Sequence, residues 1–160
     1  MAPPPRFTLR PLASSDAEDV AALIRLAFAA QSVITDPPPS ALRENAANIA
    51  TILADGGGAA AIADEHLAGA VLWQEKEGGL YIGRLSVHHD FRGHGIARAL
   101  VAEAEATSRQ LRLPRLWLST RLALADNRRL FASCGFVEIA EHAHPGYHEP
   151  TFVDMEKRLA

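Results

Sequence analysis

Two glycines one residue apart, Gly93 and Gly95, stand in the stretch DFRGHGIARAL between a hydrophobic strand pattern and an alanine-rich helix pattern. Glycine is a poor residue in either element, so bare backbone is needed there for a reason. A helix N-terminus presents unpaired N–H groups and a partial positive charge, which together make an anion site. Gly93 and Gly95 let a phosphate reach that backbone and tolerate positive φ, while Arg92 and His94 add charge at the rim. The chemistry suggested is phosphate or pyrophosphate binding. A P-loop would need a lysine and a hydroxyl residue after the second glycine, and neither is present. The dinucleotide fingerprint would need glycine at the position of Arg98. Local sequence leaves one other reading open, a tight turn whose glycines serve geometry alone.

A second cluster lies near the C-terminus, in HAHPGYHEP. His142, His144 and Glu149 match the H-x-H-x₄-E spacing of metal-binding cupins, and such a ligand set suits iron, manganese or zinc. Cupins are nearly all β, however, and the flanking glycines they carry are absent here. The plainer reading is a polar loop with exposed imidazoles. Cys134 is the only cysteine, so no internal disulfide can form; a reducing, cytoplasmic setting is expected. In its Cys-Gly-Phe helix ending it reads as a small packed residue rather than an acyl acceptor.

These residues need elements to position them. The 160 residues suffice for one domain spanning 1–160, with 48% apolar and 22% charged residues. A formal charge of −3 argues against a nucleic-acid or anionic-membrane partner. MAPPPRFTLR lacks a signal-peptide core, and no apolar run reaches membrane-spanning length. A strand is predicted at residues 7–10, then a helix over 15–30 opened by a Ser15-x-x-Glu18 capping box. After a proline-rich break, a second helix is predicted over 40–55, ended by glycines. GAAAIAD, LAGAVLWQE and LYIGRLSV read as an antiparallel meander. Residues 95–111 make the clearest helix, with Ile96, Leu100, Val101, Ala104 and Leu111 on one face. RLWLST, a short helix near 127–134, FVEIAE and TFVDMEKRL complete the chain.

Arg92 to Ala97 resembles the [QR]-x-x-G-x-[GA] signature of the GNAT superfamily of acyl-CoA-dependent N-acetyltransferases. LSVHHDFRGHGIARAL resembles that family's whole strand–loop–helix segment, and LWLST…DNRRLFASCGF resembles the next one. The order of elements agrees from residue 7 onward. The resemblance implies an α+β, three-layer fold: a mixed, mostly antiparallel sheet of about seven strands flanked by about four helices. It implies acetyl-CoA as co-substrate, no metal, and direct transfer of the acetyl group to a primary amine of a small molecule or peptide. Backbone amides of Arg92, Gly93, His94, Gly95, Ile96 and Ala97 would hold the coenzyme A pyrophosphate. Leu85, Ser86 and Val87 would pair with the pantetheine arm where a bulge parts their strand from RLWLST. An amide of that bulge would polarise the acetyl carbonyl. Asn127 would contact the cofactor arm, with Phe131 beside it. Homodimers are common in the family.

The pattern departs from the family at its acid and base. Phe131 stands where a tyrosine often protonates the departing thiolate, and Tyr147, Ser133 or Cys134 would have to replace it. Tyr147 also reads as a loop aromatic lining the acceptor side. Arg84 stands near the usual glutamate and cannot act as a base; it would attract an acidic acceptor or lie solvated. His88, His142, His144, His148 and Glu75 are the base candidates, with His88 equally suited to a structural role. Asp36 and Glu44 could greet a cationic acceptor. Two further readings stand beside catalysis: an inert acyl-CoA-binding module, or the metal-binding protein of the histidine loop.

Overall fold

The structure is a computed structural model and describes residues 6–159. The first five residues, part of the stretch read above for a signal-peptide core, and Ala160 lie outside the described residues.

Apolar-rich runs in the first half build the meander. Strands β1 (Phe7–Pro11), β2 (Gly57–Ala63), β3 (His66–Lys76) and β4 (Gly79–Val87) pair antiparallel in that spatial order. Asp64 and Glu65 (φ 50° and 64°) turn β2 into β3, and Glu77 and Gly78 (φ 51° and 73°) turn β3 into β4. Two left-handed residues in succession give the twist that tight hairpins need. Strands β5 (Arg115–Arg121), β6 (Val137–His142) and β7 (Phe152–Arg158) complete a seven-stranded sheet in the order β1-β2-β3-β4-β5-β7-β6. Among the described residues only the β4–β5 pair is parallel.

Successive β3 residues explain the layers. Val71 belongs to the core under helix α3 (Ile96–Gln110), whereas Ala70 and Leu72 belong to the core under helices α1 (Ala17–Ala29) and α2 (Ala46–Asp55). Side chains alternate across a strand, so a strand buried on both faces reads as a continuous apolar run. LAGAVLW is such a run. Helix α4 (Ala125–Ser133) adds Phe131 to the α3 side, where it meets Phe136 edge-on at 5.9 Å. This is the α+β architecture expected, with a mostly antiparallel sheet and four helices.

Three local expectations are corrected. The capping box does not form, and α1 begins at Ala17 after a 3-10 turn, Ser14–Asp16. The carboxylate of Asp16 instead accepts the Ala13 N–H at 2.7 Å and both guanidinium nitrogens of Arg10 at 2.9 Å. Arg10 holds that carboxyl below its ordinary range, because the ionised form is the one it bonds. The second helix is split. Ser40–Arg43 is a 3-10 turn, Glu44 is extended, and α2 starts only after Asn45, whose side chain accepts the Asn48 N–H at 2.9 Å. Leu111 lies beyond the end of α3 and is 54% exposed; Ser108 takes the inward place, its hydroxyl reaching Arg115 O at 3.4 Å. No helix among the described residues is long and apolar enough to cross a membrane.

Candidate functional site

The site begins with one extra residue in β4. Its register against β3 passes from Leu72↔Gly83 to Ala70↔Ser86, so Arg84 and Leu85 together face Val71 alone. Arg84 takes φ 55° at this bulge, and the Ser86 hydroxyl donates to Arg84 O at 3.0 Å. A bulge bends its strand and increases local twist. On its other side β4 pairs with β5 only at Leu80↔Leu116 and Tyr81↔Trp117. Past those two pairs the strands part.

A cleft of about 440 Å³ opens where they do, lined by Leu85, Ser86 and Val87 of β4 and by Arg92, Gly93, Gly95, Ile96 and Ala97 of the loop and α3. Asn127 of α4 joins them, and Phe28, Gln31 and Val33 close the far wall. His94 is not among the lining residues, and Phe131 faces the neighbouring cleft. Gly93 and Gly95 adopt φ 80° and 82°, and a Cβ built on either meets nothing within 4 Å. That space is open cleft. Gly95 caps α3 without any side-chain bond, and the first intrahelical bond is Ala99 N–H to Gly95 O at 3.1 Å. The amides of Ile96, Ala97 and Arg98 therefore precede every carbonyl partner in the helix. Arg92, Gly93, Gly95 and Arg98 are exposed. The coenzyme A implied by the resemblance fits this shape: a donor-rich helix start cleared of side chains, continuous with an unpaired strand edge.

A second cleft of about 360 Å³ lies across the bulge and shares Phe28, Gln31, Leu85, Leu124 and Asn127 with the first. Its own lining includes Tyr81, Arg84, Ser119, Arg121, Thr35 and His144. Arg84 is tied down: its Nε donates to Glu44 Oε2 and its Nη2 to Ser40 Oγ, both at 3.0 Å. Glu44 is buried beneath it and faces neither cleft. Arg121 donates Nη1 to Pro37 O at 2.6 Å. Burial pushes the Arg121 guanidinium below its ordinary value, and burial likewise pushes the Tyr81 phenol up. His144 Nδ1 bonds Thr151 Oγ1, and desolvation followed by the charge of Arg121 lowers its imidazole from the usual value.

Several expected chemical residues fall elsewhere. Tyr147 lines neither cleft; its hydroxyl donates to Asp36 Oδ1 at 2.6 Å, and that bond raises its phenol above the ordinary value. Asp36 is thereby engaged at the surface, away from both linings. His88 also lines neither cleft: its Nδ1 accepts the Asp90 N–H at 3.1 Å and its ring stacks on His89. His142 bonds Asp154 at 2.8 Å. The histidine loop does not gather His142, His144 and Glu149 around one point. Among the described residues the grouping with metal-like spacing is His88, His89 and Asp90, on the surface. Arg121 and Thr35 were missed by sequence reasoning. Arg121 stands one residue past RLWLST, at the strand end that borders a cleft, which was the available signal.

The acetyltransferase (GNAT) family profile matches residues 20–136. None of the curated proteins matches the chain in sequence. Solved structures do match in fold. An IAA acetyltransferase from Bacillus cereus superposes with TM-score 0.71 at 17% identity, covering 96% of this chain and 100% of its own. The PaiA N-acetyltransferase of Thermoplasma acidophilum, in complex with coenzyme A, gives 0.75 at 16% identity, with 96% and 99% covered. A ribosomal-protein-alanine N-acetyltransferase from Brucella melitensis gives 0.74 at 17% identity, with 95% and 99% covered. The glycine-opened helix start, the bulged and parted strand and the match over most of the chain agree, and the chain belongs to the GNAT acetyltransferase family.

Proposed function

We propose that this protein transfers the acetyl group of acetyl-CoA to the primary amine of a small acceptor by direct attack. The observation that carries the reading is the single cleft in which the open start of α3 and the unpaired edge of β4 are continuous. The amides of Ile96, Ala97 and Arg98, with the backbone at Gly93 and Gly95, hold a pyrophosphate. The main chain of Leu85, Ser86 and Val87 receives the pantetheine arm, beside Asn127. In this reading a main-chain amide of the bulge polarises the thioester carbonyl as it gains negative charge under attack. Coenzyme A supplies a thiolate leaving group stable enough to depart unaided, which suits a site whose Phe131 has no proton to give.

The acceptor enters the second cleft and must lose a proton before it attacks. His144 is the base candidate that lines this cleft. With Nδ1–H donated to Thr151 Oγ1, its Nε2 keeps a lone pair for the amine proton. The amine nitrogen then bonds the carbonyl carbon, the carbon–sulfur bond breaks to release the thiolate, and the second proton left on the nitrogen passes to that departed thiolate or to water. Most of the catalysis is positioning of two reactants on either side of the bulge. A thiol-release assay over a panel of amines, followed by mass spectrometry for one added acetyl unit, tests this directly. Acetyl-CoA-dependent acetylation of a small amine is expected. A chain whose melting temperature rises with acetyl-CoA but which releases no thiol with any amine is a binder, not this enzyme.

A further inference from the structure

We propose that the second cleft selects an amine that also carries a carboxylate, held by Arg121 and Thr35; this rests on the acetyl-transfer reading above. The cleft is lined by two arginines, Arg84 and Arg121, and by no aspartate or glutamate among the described residues. Their situations differ. Arg84 has a buried counter-ion in Glu44. Arg121 donates to two neutral carbonyls, Pro37 O at 2.6 Å and Pro38 O at 3.4 Å, so its hydrogen-bonded partners bring no negative charge. Asp36 acts on Arg121 only through space, its Oδ1 being taken by the Tyr147 hydroxyl. Asp154, near Ser119 on the neighbouring strand, is engaged by the Ser119 hydroxyl and by His142.

Thr35 supplies the independent observation. It is 7% exposed, it lines this cleft, and its hydroxyl has no hydrogen-bond partner. A buried polar atom without a partner is costly, and a turn about the Thr35 Cα–Cβ bond toward a ligand oxygen in the cleft removes that cost. A guanidinium lining one small cavity, with a hydroxyl that a turn of the Thr35 side chain brings to it, matches a carboxylate, which accepts at both oxygens. The opposite class is disfavoured by the same features. A polyamine would bring extra positive charge toward Arg121 with no acidic side chain to receive it. At about 360 Å³ the cleft suits an acceptor of amino-acid size.

The test is a thiol-release assay with matched acceptors, an α-amino acid set beside its carboxamides and spermidine, on the wild type, Arg121→Gln and Thr35→Val. The wild type is expected to favour the carboxylates by roughly tenfold or more in kcat/KM, the scale of a charge-assisted contact. Both variants are expected to erase that preference, chiefly by raising KM for the acids. Thr35→Val removes a hydroxyl that bonds nothing in the protein, so it remains informative should Arg121→Gln fold poorly. Equal or better use of carboxamides or spermidine by the wild type overturns the proposal while leaving acetyl transfer standing, and so does an equal loss on acids and amides in both variants. Thiol release with no acceptor at all, despite a melting temperature that rises with acetyl-CoA, overturns the acetyl-transfer reading and this inference with it.

Discussion

Arg84 Nε and Glu44 Oε2 lie 3.0 Å apart, joining the bulge of β4 to the irregular turn ahead of α2. The Glu44 side chain is 4% exposed and that of Arg84 is 30% exposed, so the carboxylate is the desolvated partner. Arg84→Met leaves that carboxylate buried without its cation and should destabilise the protein by about 3 kcal/mol. Glu44→Leu combined with Arg84→Met should recover much of the loss. Urea unfolding of the single and double variants measures both, and additive losses would show that the two residues are not coupled.

Gly95→Val is expected to weaken acetyl-CoA binding by well over tenfold. An added Cβ meets no protein atom within 4 Å, so the expected loss of fold stability comes mainly from the left-handed backbone, on the order of 1–2 kcal/mol. Binding suffers further because the same open space is where the pyrophosphate must approach. Calorimetric titration of the folded variant separates the two effects. Wild-type affinity there would reject the anion site at the start of α3.

The acid side of the activity profile should report His144. Burial and the charge of Arg121 both disfavour its protonated form, so it is neutral at pH 7. kcat/KM is therefore expected to rise with pH through a midpoint below the ordinary imidazole value and to stay flat above it. His144→Gln should lower kcat by about 100-fold and abolish that limb. A limb that persists in the variant would assign it to another group.

Stability has its own acid limb, at Glu105. Lys157 Nζ lies 3.0 Å and Arg109 Nη2 3.3 Å from Glu105 Oε1. These bonds hold the Glu105 carboxyl below its ordinary range, Lys157 being the larger cause. A carboxyl depressed in the folded state stabilises fully above its unfolded pKa, and the contribution fades as pH falls through the folded one. The wild type should therefore exceed Glu105→Gln in stability at pH 7. The gap should close below the ordinary glutamate range, as urea midpoints at pH 7 and pH 3 would record.

Sequence patterns revealed what local chemistry controls. LAGAVLWQE and LYIGRLSV read as strands because their residues suit a pleated, buried surface, and the glycines at 93 and 95 marked the helix start because no other residue tolerates those φ values cheaply. Long-range pairings were hidden. Ser15-x-x-Glu18 looked like a cap, but Arg10 engages Asp16 across six residues, and the Asp16 carboxylate, not Glu18, accepts a main-chain amide there, that of Ala13. SALREN looked helical until Arg84, 40 residues on, drew Glu44 into the core. The chemical groups of the acceptor side depend on such folding. Tyr147 and His88 are plausible by type, yet Asp36 and Asp90 hold them away from both clefts. Thr35 carries no sequence signal at all, because only burial makes a threonine without a partner informative.

The two-rung contact between β4 and β5 leaves the sheet as two halves joined along a short seam. Main-chain groups past Tyr81 on that side wait for a strand the polypeptide never provides. On the proposed function, an extended amide-bearing molecule laid there would complete the sheet from outside and is expected to slow deuterium uptake along both lips of the seam. Cohesion of the fold would then follow the supply of its own substrate.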